Sequence, residues 1–385
     1  MKGFIKFITI IIVLTIMPVS VFGKNVKVNL TTNATASVMI EATTGKVLYE
    51  FNANKVVSVA SLTKMMSLII VFEFIEQGGM TYDEEITVSK NAQDMGGTQL
   101  WLAEGDKITV RDLIKGIVMS SANDAMYAVA ERVAGTEEAF VTMMNNKATE
   151  LGLKNTSFKN CIGFDEKGQY STAYDMALIA KELIKHEEIF SFSGVYEDYI
   201  RKGTDKEAWI SNTNKLVRFY EGADGLKTGY TDDAGSCICA TAMKNNLRLI
   251  VVSLGYKHTK ERNSETMELL NYGFNQYKAN VIYKKGEKVT DIKLLKGEKE
   301  RVSLTAKNDI LILQKKTDKD IDYKKDIKIK SFTYPLYKGD ELGVLYIKDN
   351  NKIIAKGILA INEDIKKVGY FKLFITNLKN VLGGN

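Results

Sequence analysis

Residues 59–76 read Val-Ala-Ser-Leu-Thr-Lys-Met-Met-Ser-Leu-Ile-Ile-Val-Phe-Glu-Phe-Ile-Glu. Leu62, Met65, Met66, Ile69, Ile70 and the run Phe72 to Ile75 recur at helical spacing, and Gly78-Gly79 follow as a stop. The stretch therefore reads as a helix buried in a core. At its start Ser61 and Lys64 stand three apart, which puts them on one face about one turn apart. A serine hydroxyl is a poor nucleophile unless a neighbour takes its proton. A lysine does this only as the free amine, which burial beside Met65 and Met66 and a second nearby cation would favour. The helix start also offers the Ser61 N–H to a developing oxyanion. Taken alone, the tetrapeptide reads better as an N-cap serine followed by a solvated lysine, so the rest of the chain decides.

Upstream, residues 36–51 read as a strand, a glycine turn and a second strand. Downstream, helical patterns run over 110–119, 122–134, 137–151 and 173–185. Strands return over 235–256 with Asn245-Asn246 as the hairpin turn, and 261–277 reads as a closing helix. Strands at both ends thus bracket a mostly helical middle. This predicts an α+β fold: one sheet assembled from distant parts of the chain, helices packed on it, and a helical lobe beside it. The expected extent is 24–277. After Asn280, short apolar runs such as Val302-Ser303-Leu304 and Ile310-Leu311-Ile312-Leu313 alternate with turn signals, which predicts a small all-β, sandwich-like domain over 278–363. It contains no cluster that reads as catalytic. From Ile365 the spacing turns helical: Ile365, Val368, Phe371, Ile375, Leu378 and Leu382 form one stripe, and lysines are the only charges after Asp364. A basic amphipathic helix over 364–385, lying on an anionic membrane surface, is expected.

The chain has 385 residues, 45% apolar and 26% charged, with a net charge of +6, which is ordinary for a globular protein of two domains. The charge suits an anionic surface, and no aromatic-plus-basic motif points to nucleic acid. Lys2 and Lys6, the apolar run Phe7 to Met17 and the Val21-Phe22-Gly23 boundary read as a cleaved export signal over 1–23. Three cysteines, Cys161, Cys237 and Cys239, make an odd count that argues against a disulfide framework in an exported protein. With two histidines, His186 and His258, and no CxxC pair, no structural metal site is expected. Neither histidine sits in a motif suited to a Ser-His-Asp triad, so a serine enzyme here would use another base.

Two further motifs follow in order. Ser121-Ala122-Asn123 lies in Met-Ser-Ser-Ala-Asn-Asp-Ala, and Lys227-Thr228-Gly229 stands just before the strand pair. Ser121 offers a hydroxyl that can relay a proton to a leaving amine. Asn123 offers an amide to orient Lys64 and a substrate backbone. Lys227 and Thr228 suit a carboxylate. Gly229 admits close approach of a substrate strand, and the Tyr230 N–H is a natural second oxyanion donor.

All three motifs in this order are those of penicillin-binding proteins and β-lactamases. Their context resembles the low-molecular-mass penicillin-binding proteins that act as D-alanyl-D-alanine carboxypeptidases. The matching stretches are Val59 to Met66, Ser120 to Ala125, Tyr170 to Ala173, Asn212 to Lys215, Asp224 to Thr231 and Ala234 to Cys237, within about residues 36–277. The resemblance implies a transpeptidase-like (β-lactamase-like) catalytic domain that works without a cofactor outside the cytoplasmic membrane. It implies an acyl-enzyme at Ser61, release of terminal D-alanine from peptidoglycan stem peptides, and acylation of the same serine by β-lactams. It also assigns Arg262 to the substrate carboxylate. Two departures, Cys161-Ile162 and Gln169, fall in a loop near the site and bear on deacylation rather than reaction class. A class A β-lactamase is disfavoured because Tyr170 stands four residues after Glu166, where that enzyme needs Asn. A transpeptidase or endopeptidase with the same first steps, and a non-catalytic penicillin sensor or wall scaffold, remain as alternatives.

Overall fold

The computed structural model describes residues 29–369. The expected export signal over 1–23 lies outside them, as does most of the expected tail helix. The catalytic region is organised by a five-stranded antiparallel sheet. Its strands are β1 (Ala36–Glu41), β2 (Val47–Phe51), β3 (Ala223–Thr231), β4 (Gly235–Lys244) and β5 (Leu247–Tyr256), in the order β2-β1-β5-β4-β3. The N-terminal hairpin thus pairs with a strand about two hundred residues away, through registers such as Val38↔Val252. Asn245 and Asn246 both take positive φ, 49° and 62°, the conformation that a two-residue hairpin turn requires.

The sheet is covered on both faces, so alternation along its strands separates two cores. Val38, Ile40, Val252 and Leu254 face α1 (Lys64–Glu76) and a helix over Ala173–Leu183. Met39, Leu249 and Val251 face the closing helix, Thr259–Gln276. Helix α1 is buried from Lys64 to Phe72, as a sequence apolar on all sides apart from Lys64 and Ser67 requires. It is the central element of the helical lobe. The segment read as one helix over 110–119 is α2 (Val110–Lys115) followed by a π turn, Gly116–Ser120. Ser121 ends that turn with a left-handed φ of 67°. Helices α3 (Asn123–Ala134) and α4 (Glu137–Glu150) follow, and the Ala173–Leu183 and Thr259–Gln276 helices are α5 and α6.

Beyond α6 the chain enters an all-β domain with its own core of Leu304, Leu345, Ile347, Leu359 and Ile361. Strands β6 (Tyr277–Tyr283) and β9 (Ile310–Lys315) pair with each other. Strands β7 (Lys288–Lys293), β8 (Arg301–Ala306), β10 (Lys324–Ile329), β11 (Glu341–Asp349) and β12 (Lys352–Ile361) form a second sheet in the order β7-β8-β12-β11-β10. The helical reading from Ile365 is corrected over its first turn. Ile365 is fully buried in the β-domain core, exchanges both backbone hydrogen bonds with Leu336, and is followed by a Val368 N–H that donates to Lys296. Its spacing to Val368 is helical, but the sheet offers it a core contact and satisfied backbone groups, and these win. Among the described residues no helix is long and apolar enough to cross a membrane.

Candidate active site

Ser61 sits in a 3-10 turn, Ala60–Thr63, that feeds directly into α1. Ala60 before it holds a left-handed φ of 49°, a conformation a non-glycine residue keeps only when its surroundings impose it. Two glycines allow that imposition. A Cβ on Gly163 would stand 2.0 Å from the Ala60 carbonyl oxygen, and one on Gly229 would stand 2.9 Å from the Ser61 nitrogen. The serine turn is thus held between the loop around Gly163 and strand β3, both at backbone contact.

Lys64 is fully buried. Its Nζ lies 3.0 Å from Ser61 Oγ and donates to Asn123 Oδ1 and to the Ile162 carbonyl, each at 2.7 Å. Asn123 is fixed in turn by its Nδ2, which donates to Gly96 O at 2.7 Å. Burial brings the lysine pKa down from 10.5 to about 7, against the opposing pull of Cys161 and Asp124. A neutral amine has two N–H donors and one lone pair. The two carbonyl-type acceptors take both donors, which leaves the lone pair for the Ser61 hydroxyl proton.

Lys227 on β3 is also buried, and its Nζ donates to Thr228 O at 2.8 Å. Burial first, then the charges of Lys64 and Arg262, hold its pKa well below the ordinary lysine value. The anticipated mutual repulsion between Lys64 and Lys227 therefore falls on Lys227, while burial governs Lys64. Thr228 Oγ1 donates to Thr213 Oγ1 at 2.7 Å, and Thr213 N–H donates to Met119 O at 2.9 Å. That contact ties β3 to the π turn ending at Ser121, which is buried. Arg262, at the start of α6, donates to Ser236 Oγ at 3.0 Å and to Cys237 O at 3.2 Å. These residues lie opposite Tyr230 and Gly229 in the β3–β4 register. Burial lowers the Arg262 pKa to about 10. Among the described residues, none of Lys64, Lys227 and Arg262 has a carboxylate within 4 Å. Lys227 and Arg262, buried and without an acid partner, are chemically suited to meet an anion. Tyr230 presents an exposed ring.

Sequence reasoning missed the supports. The Ile162 carbonyl is a backbone group with no sequence signature. Asp124 accepts the N–H groups of Leu100 and Leu102 and so fixes the loop bordering Asn123. Asp165 accepts from Ser58 Oγ at 2.7 Å and from Thr231 Oγ1 at 2.9 Å, joining the loop to both sides of the cleft. Asn214 Nδ2 donates to Gly225 O at 2.9 Å and braces β3. The histidines lie elsewhere: His186 meets Glu76 at 2.7 Å and stacks on Phe72, and His258 occupies the N-cap position of α6 without a side-chain capping bond. The three cysteines are buried free thiols.

A family model described as D-alanyl-D-alanine carboxypeptidase matches residues 23–258, and one described as penicillin-binding protein 5, C-terminal domain, matches residues 277–367. The D-alanyl-D-alanine carboxypeptidase DacF of Bacillus subtilis is 45% identical over 351 residues, covering 91% of this chain and 89% of the relative. The crystal structure of penicillin-binding protein 5 from Haemophilus influenzae superposes with a TM-score of 0.68 at 30% identity, covering 87% of this chain and 98% of that one. Penicillin-binding protein D2 of Listeria monocytogenes, in its ampicillin-bound form, superposes with a TM-score of 0.58 at 32% identity, covering 64% of this chain and 100% of that one.

Proposed function

The chain belongs to the D-alanyl-D-alanine carboxypeptidase family and is a serine-type carboxypeptidase of that class, and we propose that Ser61 is its nucleophile and Lys64 the base that activates it. The observation that carries this assignment is the hydrogen-bond set around Lys64, which commits both donors of a neutral amine and aims its lone pair at Ser61 Oγ. In the proposed reaction the Ser61 hydroxyl proton passes to Lys64 Nζ as Oγ bonds to the carbonyl carbon of the penultimate D-alanine. The oxyanion is held by the N–H groups of Ser61 and Tyr230. Collapse breaks the C–N bond, and Ser121 relays a proton to the departing amine of the terminal D-alanine. Water then hydrolyses the ester and restores Ser61. Asn123 orients Lys64 and the substrate backbone. Lys227, Thr228 and Arg262 receive the terminal carboxylate, and Gly229 lets the substrate strand lie against β3. The absence of a described acid partner for Lys227 and Arg262 supports that role.

The test is to incubate the purified protein with a peptide ending in Lys-D-Ala-D-Ala and assay free D-alanine. Release is expected from the wild type and not from Ser61→Ala. Release that survives the substitution would overturn the nucleophile. A β-lactam presents a carboxylate and a strained amide to the same groups, so covalent labelling of Ser61 by penicillin is expected as well. The proposed setting is the outer face of the cytoplasmic membrane, with 1–23 as leader, 24–277 as catalytic domain and 278–363 as β-domain. The stripe beyond Gly369, which lies outside the described residues, is proposed to rest on an anionic membrane. Deleting 370–385 should release the protein from anionic vesicles, and unchanged sedimentation with them would refute the anchor.

A further inference from the structure

Between the catalytic domain and the β-domain lies a cavity of about 560 Å³ whose lining includes Lys181, Lys185, Arg248 and Lys285, with Ile184 and Met243 as an apolar wall. It shares no lining residue with the candidate active site. Its volume suits a small-molecule or polymer-segment site. Three of its cations have partners: Lys185 pairs with Glu182, Lys285 with Glu187, and Arg248 with Asp224. The first two pairs are exposed and contribute little, so a competing anion can displace them. Lys181 is different. It is half-buried, and among the described residues no acceptor lies within hydrogen-bond reach of its ammonium. The nearest acid on β1, Glu41, is already used by the N–H groups of Thr43 and Thr44 and by the Thr44 hydroxyl. Burial holds the Lys181 pKa below the ordinary lysine value; Glu41 and Glu182 attract the ammonium through space and Lys185 and Lys356 repel it, each by less than burial does. A half-buried ammonium that lines a cavity and has no hydrogen-bond acceptor among the described residues is suited to an oxyanion.

We propose that this interdomain cavity binds a phosphate-bearing ligand, with Lys181 as its central contact and Lys185 and Lys285 closing on the same group. Phosphate rather than carboxylate follows from the donors. Arg248, whose planar fork could match a carboxylate in bidentate fashion, is held elsewhere: its Nη1 donates to Asp224 at 2.9 Å and to Thr241 Oγ1 at 3.0 Å, its Nη2 lies 3.5 Å from Met243 Sδ, and its guanidinium stacks over Phe190. The cations left for a ligand are lysines, point charges that gather around a phosphate without a planar preference. The Ile184 and Met243 wall would take the carbon chain of a phosphodiester.

The test titrates the full-length protein with inorganic pyrophosphate, and in parallel with citrate, by calorimetry. Saturable pyrophosphate binding is expected, weakened about tenfold in Lys181→Gln and also weakened in the exposed-site variant Lys285→Gln. Pyrophosphate should also slow acetylation of Lys181 read by mass spectrometry, a measurement on the unmutated protein. Penicillin labelling should be unchanged in both variants. No binding at millimolar pyrophosphate, equal binding by wild type and both variants, or no protection of Lys181 would overturn the site. Tighter binding of citrate would overturn its assignment to phosphate.

Discussion

If Lys64 is the base, the rate of Ser61 acylation must follow the fraction of Lys64 that is neutral. Burial brings its pKa from 10.5 to about 7. At pH 7 that raises the neutral fraction from about one in three thousand to about one half, roughly a thousandfold more usable base. The same titration fixes the shape of the profile. Acylation by a fluorescent penicillin, measured by stopped flow, should rise about tenfold per pH unit between pH 5 and 6, reach half its maximum near pH 7, and level above pH 8. Lys64→Arg keeps a cation in place but cannot become neutral, so it should lose at least about a hundredfold at every pH. Lys64→Met should lose as much without adding charge. A profile flat from pH 5 to 9, or Lys64→Arg within tenfold of the wild type, would refute the free-amine mechanism. An inflection near pH 10 would leave the base in place but refute its depression by burial.

The same buried amine has a stability signature: between about pH 7 and 10.5 the unfolded chain binds a proton that the folded Lys64 does not, so wild-type stability rises with pH there. Relative to Lys64→Met, the wild type should gain up to ~1.4 kcal/mol per pH unit above pH 7 in denaturant titrations, and parallel curves would contradict it. Gly229→Ala places a Cβ 2.9 Å from the Ser61 nitrogen and 3.0 Å from Ala60 Cβ. It should cut penicillin acylation by roughly a hundredfold, because β3 or the serine turn must move; unaltered acylation would show that the contact is slack. Gly163→Ala combines a φ of 93° with a Cβ 2.0 Å from the Ala60 carbonyl oxygen. It should cost more than about 2 kcal/mol in thermal unfolding, and a variant melting within a degree or two of wild type would exclude that clash.

What was legible in the sequence follows from which interactions are local. The spacing of Ser61 and Lys64, the hairpin turn at Asn245-Asn246 and the Lys227-Thr228-Gly229 motif are each fixed by a few neighbouring residues, although the strand that carries Lys227 was not read, and the structure brings Lys64, Asn123 and Lys227 together. Helix α2 was read four residues too long because Gly116–Ser120 keeps helical apolar spacing while its hydrogen bonds shift to a π turn, a change that hydrophobic periodicity does not register. Strand β6 follows α6 without an intervening turn residue, so no punctuation marked it. Ile365 was assigned to a helix because its partner, Leu336, lies far back in the chain. The supports of the site were hidden for the same reason. The Ile162 carbonyl and the Asp165 bridge exist only once loop, turn and strand have met.

The cations explain why the pocket is built as it is. Lys64, Lys227 and Arg262 are each buried, and burial is the leading cause of each lowered pKa. In the proposed mechanism the neutral form of Lys64 is the useful one, and Asn123 and Ile162 satisfy its N–H groups without offering a negative charge that would restore the proton. In the proposed mechanism the charged forms of Lys227 and Arg262 are the useful ones, yet the fold supplies neutral acceptors, Thr228 O, Ser236 Oγ and Cys237 O, in place of a carboxylate. An internal acid at either residue would compete with a substrate carboxylate and would also draw a proton back toward Lys64. Buried charge without that acid is costly to the empty fold, and under the proposed mechanism a bound carboxylate offsets the cost. A neutral ligand of the same shape gains none of this relief, so a peptide amidated at its terminal D-alanine should bind and acylate far more slowly than the free acid. Equal rates for the two peptides would remove the role assigned to Lys227 and Arg262 while leaving that of Lys64 intact.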